Sequence, residues 1–178
     1  MLLTAIAERA EMRGWISVNV TDRDGMLSEI IVQLRQKASH ILAPETNSWL
    51  SEIHVHGVGF TRTREEVPST WRADMTKAVS ELNEKDAGLL ITVDEASAQS
   101  DELPVLIDSF QHFVRERRDV ALLLAGLPHN VSTLIDVDAI SFLRRAFKHT
   151  MDQISATDTS YAIKETVEGA GRGIAAPA

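Results

Sequence analysis

The feature that most constrains this chain is the stretch Gly88-Leu89-Leu90-Ile91-Thr92-Val93-Asp94-Glu95. A short apolar run bounded by polar residues suits a strand buried on both faces, as parallel sheets require. Such a sheet needs helical crossovers, so the run commits its surroundings to an α/β arrangement. The run stops abruptly in two carboxylates. Acids at the C-terminal end of a strand emerge where open α/β sheets bind their ligands. The plainer alternative is a buried strand followed by a capped turn.

The rest of the chain alternates as that strand demands. Leu2, Leu3, Ile6, Ala7 and Ala10 share one helical face, and Gly14 ends the helix. Trp15–Val20 reads as a strand, Thr21–Gly25 as a turn, and Leu27, Ile30, Ile31, Leu34 and Ala38 as a second amphipathic helix. Residues 40–67 are less regular. Glu52–His56 alternates like an exposed strand and Thr61–Arg64 could return as a second, giving a hairpin or an extended excursion over residues 50–66. Ser69 or Thr70 caps a helix that buries Trp71, Met75, Ala78, Val79 and Leu82. Asp101 caps the next, whose stripe is Leu103, Leu106, Ile107, Phe110, Phe113 and Val114, with Arg115, Arg117 and Arg118 at its end. Val120–Gly126 is a continuous apolar strand. A helical region carries Leu134, Ile140, Phe142, Leu143 and Ala146, His149–Ile154 is a fifth strand, and Thr157 or Asp158 caps a last helix. The fold expected is three-layer αβα with a mainly parallel sheet.

Composition narrows the class. The chain has 178 residues, 44% hydrophobic and 25% charged, enough for one domain with a proper core. Without cysteine it has neither disulfides nor thiolate metal sites. A net charge of −8 gives nucleic acid no support as a partner. No apolar run approaches the roughly 20 residues of a membrane span. Met1–Ile6 lacks a basic leader and is followed by Glu8 and Glu11, so a cytoplasmic location is expected.

In order and spacing these segments resemble the nucleotide-binding core of AAA+ and STAND-type P-loop ATPases, bacterial proteins related to the archaeal origin-recognition ATPases. Leu89–Glu95 resembles the Walker B strand. The resemblance implies that Asp94 holds Mg²⁺ and that Glu95 is the catalytic base polarising the attacking water. Met1–Ala10 looks like the helix that follows a Gly-Lys-Thr phosphate loop. Leu124–Pro128 looks like the end of the strand carrying sensor 1, where His129 or Asn130 would reach the nucleotide; the plainer alternative for both is a capped helix start, with Asn130 as the N-cap. Phe142–Ala146 resembles the segment bearing an arginine finger, with Arg145 preferred over Arg144; the alternative is a solvated helix end. By this resemblance residues 1–155 form the core and 156–178 begin a lid helix with a frayed tail. ATP and Mg²⁺ are the cofactors implied.

One departure is large. No G-x-x-x-x-G-K-[ST] occurs, and no lysine lies in the first 36 residues. That loop cradles phosphates with backbone N–H groups and a lysine. The expectation is therefore a core fragment, beginning just after the phosphate loop, of a parent that binds and hydrolyses ATP. Alone, the chain would bind nucleotide poorly. The competing expectation is a non-catalytic protein-interaction module with a degenerate NTPase fold, prone to homo-oligomerise through exposed edges. Other candidates are weaker. His54 and His56 share a strand face but lack a third ligand at an obvious spacing. Arg62, Arg64 and Arg72 are interrupted by Glu65 and Glu66.

Overall fold

The computed structural model describes residues 2–44, 46, 67–151 and 154–173; the expected hairpin, with His54, His56, Arg62 and Arg64, lies outside them. The chain divides into two units, Met1–Ala146 and Phe147–Ala178. In the first, α1 (Leu2–Glu11), β1 (Ile16–Thr21), α2 (Met26–Lys37), α3 (Val67–Glu84), β2 (Leu89–Asp94), α4 (Leu103–Arg115), β3 (Val120–Leu124) and α5 (Pro128–Asp136) precede a 3₁₀ helix at Asp138–Arg145. The second contains α6 (Ala156–Gly169). No described helix is long and apolar enough to cross a membrane.

The three strands form one parallel sheet in the order β1-β2-β3, an α/β arrangement. The register runs from Ile16 opposite Leu89 to Thr21 opposite Asp94, and from Leu89 opposite Val120 to Val93 opposite Leu124. The Leu89–Glu95 run thus becomes the central strand, with every residue from Leu89 to Val93 buried.

Strand alternation explains the core. Ile16, Val18, Val20, Leu89, Ile91 and Val93 face one side and join a single apolar cluster with Met26, Ile30 and Leu34 of α2, Met75, Val79 and Leu82 of α3, and Leu103, Leu106 and Phe113 of α4. These are the helical stripes that the sequence periodicity marks. Trp71, also in the stripe of α3, donates from its indole Nε1 to the Leu27 carbonyl at 2.9 Å, which fixes α3 against α2. On the other side of the sheet, α1 packs on β1 and β2. Ser17 donates there to Glu11 at the end of α1. Gly14, at φ +81°, ends α1 in the left-handed conformation that glycine adopts without penalty.

Several local expectations are corrected. The helix bearing Trp71 begins at Val67, so Ser69 and Thr70 lie inside it rather than capping it. The N-cap position of α4 is Glu102 rather than Asp101, and Ser100 Oγ accepts from the Leu103 N–H at 3.1 Å. Ser155, not Thr157 or Asp158, caps α6, accepting from the Asp158 N–H at 3.0 Å. Among adjacent Ser, Thr and Asp residues, the backbone's entry angle decides which oxygen reaches an N–H, and composition cannot. Of the expected fifth strand, the described residues His149–Met151 and Ile154 are exposed and irregular rather than extended in a ladder. The helical region after β3 is two pieces, with a 3₁₀ turn carrying Arg144 and Arg145.

Candidate functional site

The carboxyl ends of the three strands form one crest, and the acids of the sequence motif sit on it. Asp94 closes β2, and its Oδ1 accepts the Glu95 N–H at 2.9 Å. Asp94 Oδ2 takes no hydrogen bond among the described residues. Glu95 follows in the left-handed region at φ +58°, uncommon for a residue with a Cβ. Its carboxylate is exposed and has no hydrogen bond or ion pair among the described residues.

The loop carrying these acids is held from both sides. The Asp22 N–H, just past β1, donates to the Asp94 carbonyl at 2.9 Å, and Asp22 Oδ2 accepts from the Ser97 N–H at 2.9 Å. On the β3 side, the Ala125 N–H donates to the Val93 carbonyl at 2.8 Å and the Ala96 N–H donates to the Ala125 carbonyl at 2.8 Å. Gly126 lies against this turn: a Cβ there would sit 2.7 Å from the Ala96 carbonyl oxygen. The left-handed backbone at Glu95 is therefore clamped at both neighbours, a setting in which a strained residue persists at functional sites.

Asp22 was not singled out in the sequence, where it reads as the start of a turn. The available signal was positional, since it follows an apolar strand as Asp94 does. Its Oδ1 is buried without a hydrogen-bond partner. Glu102 carries no such positional signal. Its two oxygens accept the N–H groups of Gly25 and Leu27 at 2.9 and 2.8 Å, so a residue 75 positions away in sequence caps α2. Cap residues are normally sought next to the helix they serve, and no local pattern reveals this one.

A depression of about 270 Å³ lies beside the crest, lined by Asp22, Arg23, Asp24, Ser97, Gln99, Ser100, Asp101 and Glu102. Carboxylates dominate that lining, which disfavours a polyphosphate there. Asp94 and Glu95 are not part of it.

The remaining candidates are placed as follows. His129 and Asn130 fall in the first turn of α5, whose N-cap is Leu127 with Pro128 leading. Asn130 is therefore not the cap, because Pro128 already sets the turn. The His129 side chain is exposed and its carbonyl accepts from the Thr133 hydroxyl. Arg144 donates from Nε to the Ile135 carbonyl at 3.4 Å, and Arg145 is exposed. The 3₁₀ helix bearing them is tethered to α4 by Phe142, whose ring meets Phe110 edge-on at 6.1 Å. Arg72 pairs with Asp108, so it belongs to the α3–α4 contact. Among the described residues no group of three or more His, Asp or Glu could by itself hold a metal ion. Comparison with protein-family models, with curated proteins and with solved structures gives no match for this chain.

Proposed function

We propose that this chain is the acid-bearing core of a Mg²⁺-dependent, AAA+-type P-loop ATPase with a three-layer αβα architecture. The observation that carries the reading is the crest. A central parallel strand ends in Asp94 and Glu95, with Glu95 clamped in a left-handed turn and its carboxylate free of protein partners among the described residues.

The donor set suits the cation. Mg²⁺ is commonly held by one or two carboxylates together with substrate phosphates rather than by an all-protein cage. Asp94 Oδ2, at the exposed end of the central strand, is the oxygen assigned to the ion. Bound there, the ion would neutralise charge on the phosphates. Glu95 takes the role of general base, accepting the proton of the attacking water. His129 and Asn130, at the start of α5, are the residues assigned to nucleotide contact, and Arg145 is assigned as the charge offered to a neighbouring site.

The backbone cradle for the phosphates is not encoded in this sequence, so the chain by itself is a weak nucleotide binder. Calorimetry with Mg-ATP on the 178-residue chain is expected to show no binding. Micromolar affinity, worth about −8 kcal/mol, would mean that another phosphate site exists. In the longest in-frame protein containing this chain, Mg²⁺ should strengthen ATP binding and Asp94→Asn should remove that increment. An unchanged increment would take Asp94 out of the metal site.

A further inference from the structure

The segment after α5 departs from the backbone its residues prefer. Asp138–Arg145 is a 3₁₀ helix of eight residues. Runs beyond about three or four residues are uncommon, because the i→i+3 bonds are poorly aligned. The residue types do not call for it. Asp138–Ala146 holds no glycine or proline, and Ala139, Leu143, Arg144, Arg145 and Ala146 are strong α-helix formers.

Packing holds the departure in place. Leu143 is buried in the apolar cluster, and Phe142 sets its ring edge-on against Phe110 of α4 at 6.1 Å. The Ala146 N–H closes the last turn on the Leu143 carbonyl, three residues back, at 3.0 Å. Arg144 donates from Nε to the Ile135 carbonyl near the end of α5. At each end stands one residue of extended backbone, Val137 at φ −66° and ψ 119°, Ala146 at φ −67° and ψ 147°. Element-terminal residues of this kind absorb the dihedral change when a segment alters its winding.

We propose that Asp138–Arg145 is a two-state segment, held as a 3₁₀ helix by the Phe142–Phe110 contact and α-helical once that contact is released. The two forms aim the guanidinium groups differently. In the 3₁₀ form Arg145 stands in line with Phe142, because residues three apart eclipse. An α-helix turns less and rises less per residue. With Phe142 fixed, the change swings Arg145 by about 60° around the axis and draws it about 1.5 Å closer along it. The segment thus couples the packing on α4 to the direction of an exposed cation. A ligand that favours one direction of Arg145 shifts the two populations. This inference stands on the backbone and packing of the described residues and does not depend on the nucleotide reading.

The test is nuclear magnetic resonance of the 178-residue chain and of Phe142→Ala. The unmodified chain should show contacts from Hα of residue i to the amide of i+2 across this segment, the mark of a 3₁₀ helix. In Phe142→Ala these should give way to i to i+4 contacts, with more helical Cα shifts, so that removing a packed ring raises α-helix content. If that variant fails to fold, Phe110→Leu, which removes the ring and keeps an apolar side chain, carries the same readout. A 3₁₀ pattern that survives the substitution overturns the proposal, as does a segment that loses all helical contacts or an unmodified chain already α-helical there.

Discussion

Replacing Glu95 by glycine and, separately, by alanine separates backbone strain from side-chain chemistry. Glu95 sits at φ +58°. A residue with a Cβ pays about 1–2 kcal/mol in that region. Glycine escapes this cost but loses about 0.5–1 kcal/mol more backbone entropy on folding than alanine does. At mid-range the difference leaves Glu95→Gly more stable than Glu95→Ala by about 0.75 kcal/mol. At this chain length that is a Tm higher by roughly 1–4 °C. Both variants remove the same carboxylate, which has no hydrogen bond or ion pair among the described residues, so its loss cancels in the comparison. Thermal and urea unfolding followed by circular dichroism give the comparison. Ala73→Gly, at an exposed position inside α3, is the control of opposite sign and should cost about 1 kcal/mol. If the alanine variant at residue 95 equals or exceeds the glycine variant, the turn is not strained and its clamping by Asp22, Ala125 and Gly126 has no energetic content.

Three further outcomes follow from the same contacts. Gly126→Ala puts a methyl 2.7 Å from the Ala96 carbonyl oxygen, a backbone atom that cannot swing away, and should destabilise by about 1–3 kcal/mol; an unchanged unfolding midpoint would show that the crest yields. Glu102→Ala leaves the Gly25 and Leu27 N–H groups without their acceptor and should cost about 1–2 kcal/mol, whereas a loss within measurement error would mean solvent replaces the cap. The Ser17 hydroxyl, with Lys37 adding against partial burial, holds the Glu11 carboxyl below its ordinary 4.5. A lowered folded-state pKa stabilises above the unfolded value and is lost as pH falls through the folded one. Glu11→Gln should therefore be the less stable chain at neutral pH, with the gap closing below about pH 4.5 in denaturant titrations; a gap independent of pH would remove the carboxylate charge from the contact.

What could be read beforehand was governed by burial. The stripes of α2, α3 and α4 and the run of β2 were visible because burying an apolar face imposes a period on the chain, and those residues are the cluster now seen. β3 is legible as a strand, but its place in the order β1-β2-β3 is not, because apolarity does not reveal which strands are neighbours. His149–Met151 shows the converse: a weak alternating pattern with no apolar face to bury does not by itself make a strand. Asp94 and Glu95 were marked by their place after the apolar run. Asp22 and Glu102 were not, since each acts through a partner distant in sequence. Ser100 and Ser155, rather than the neighbouring acids and threonine, accept the N–H groups at the starts of α4 and α6, because composition carries no backbone direction.

The most direct test of the ATPase reading is steady-state ATP turnover by the longest in-frame protein containing this chain, with and without Glu95→Gln. The reading predicts Mg²⁺-dependent turnover that falls by about 10²–10⁴-fold when the general base is removed. Absence of Mg²⁺-dependent turnover, or turnover unaffected by Glu95→Gln, would contradict it and leave the Asp94–Glu95 turn a purely structural end to the central strand.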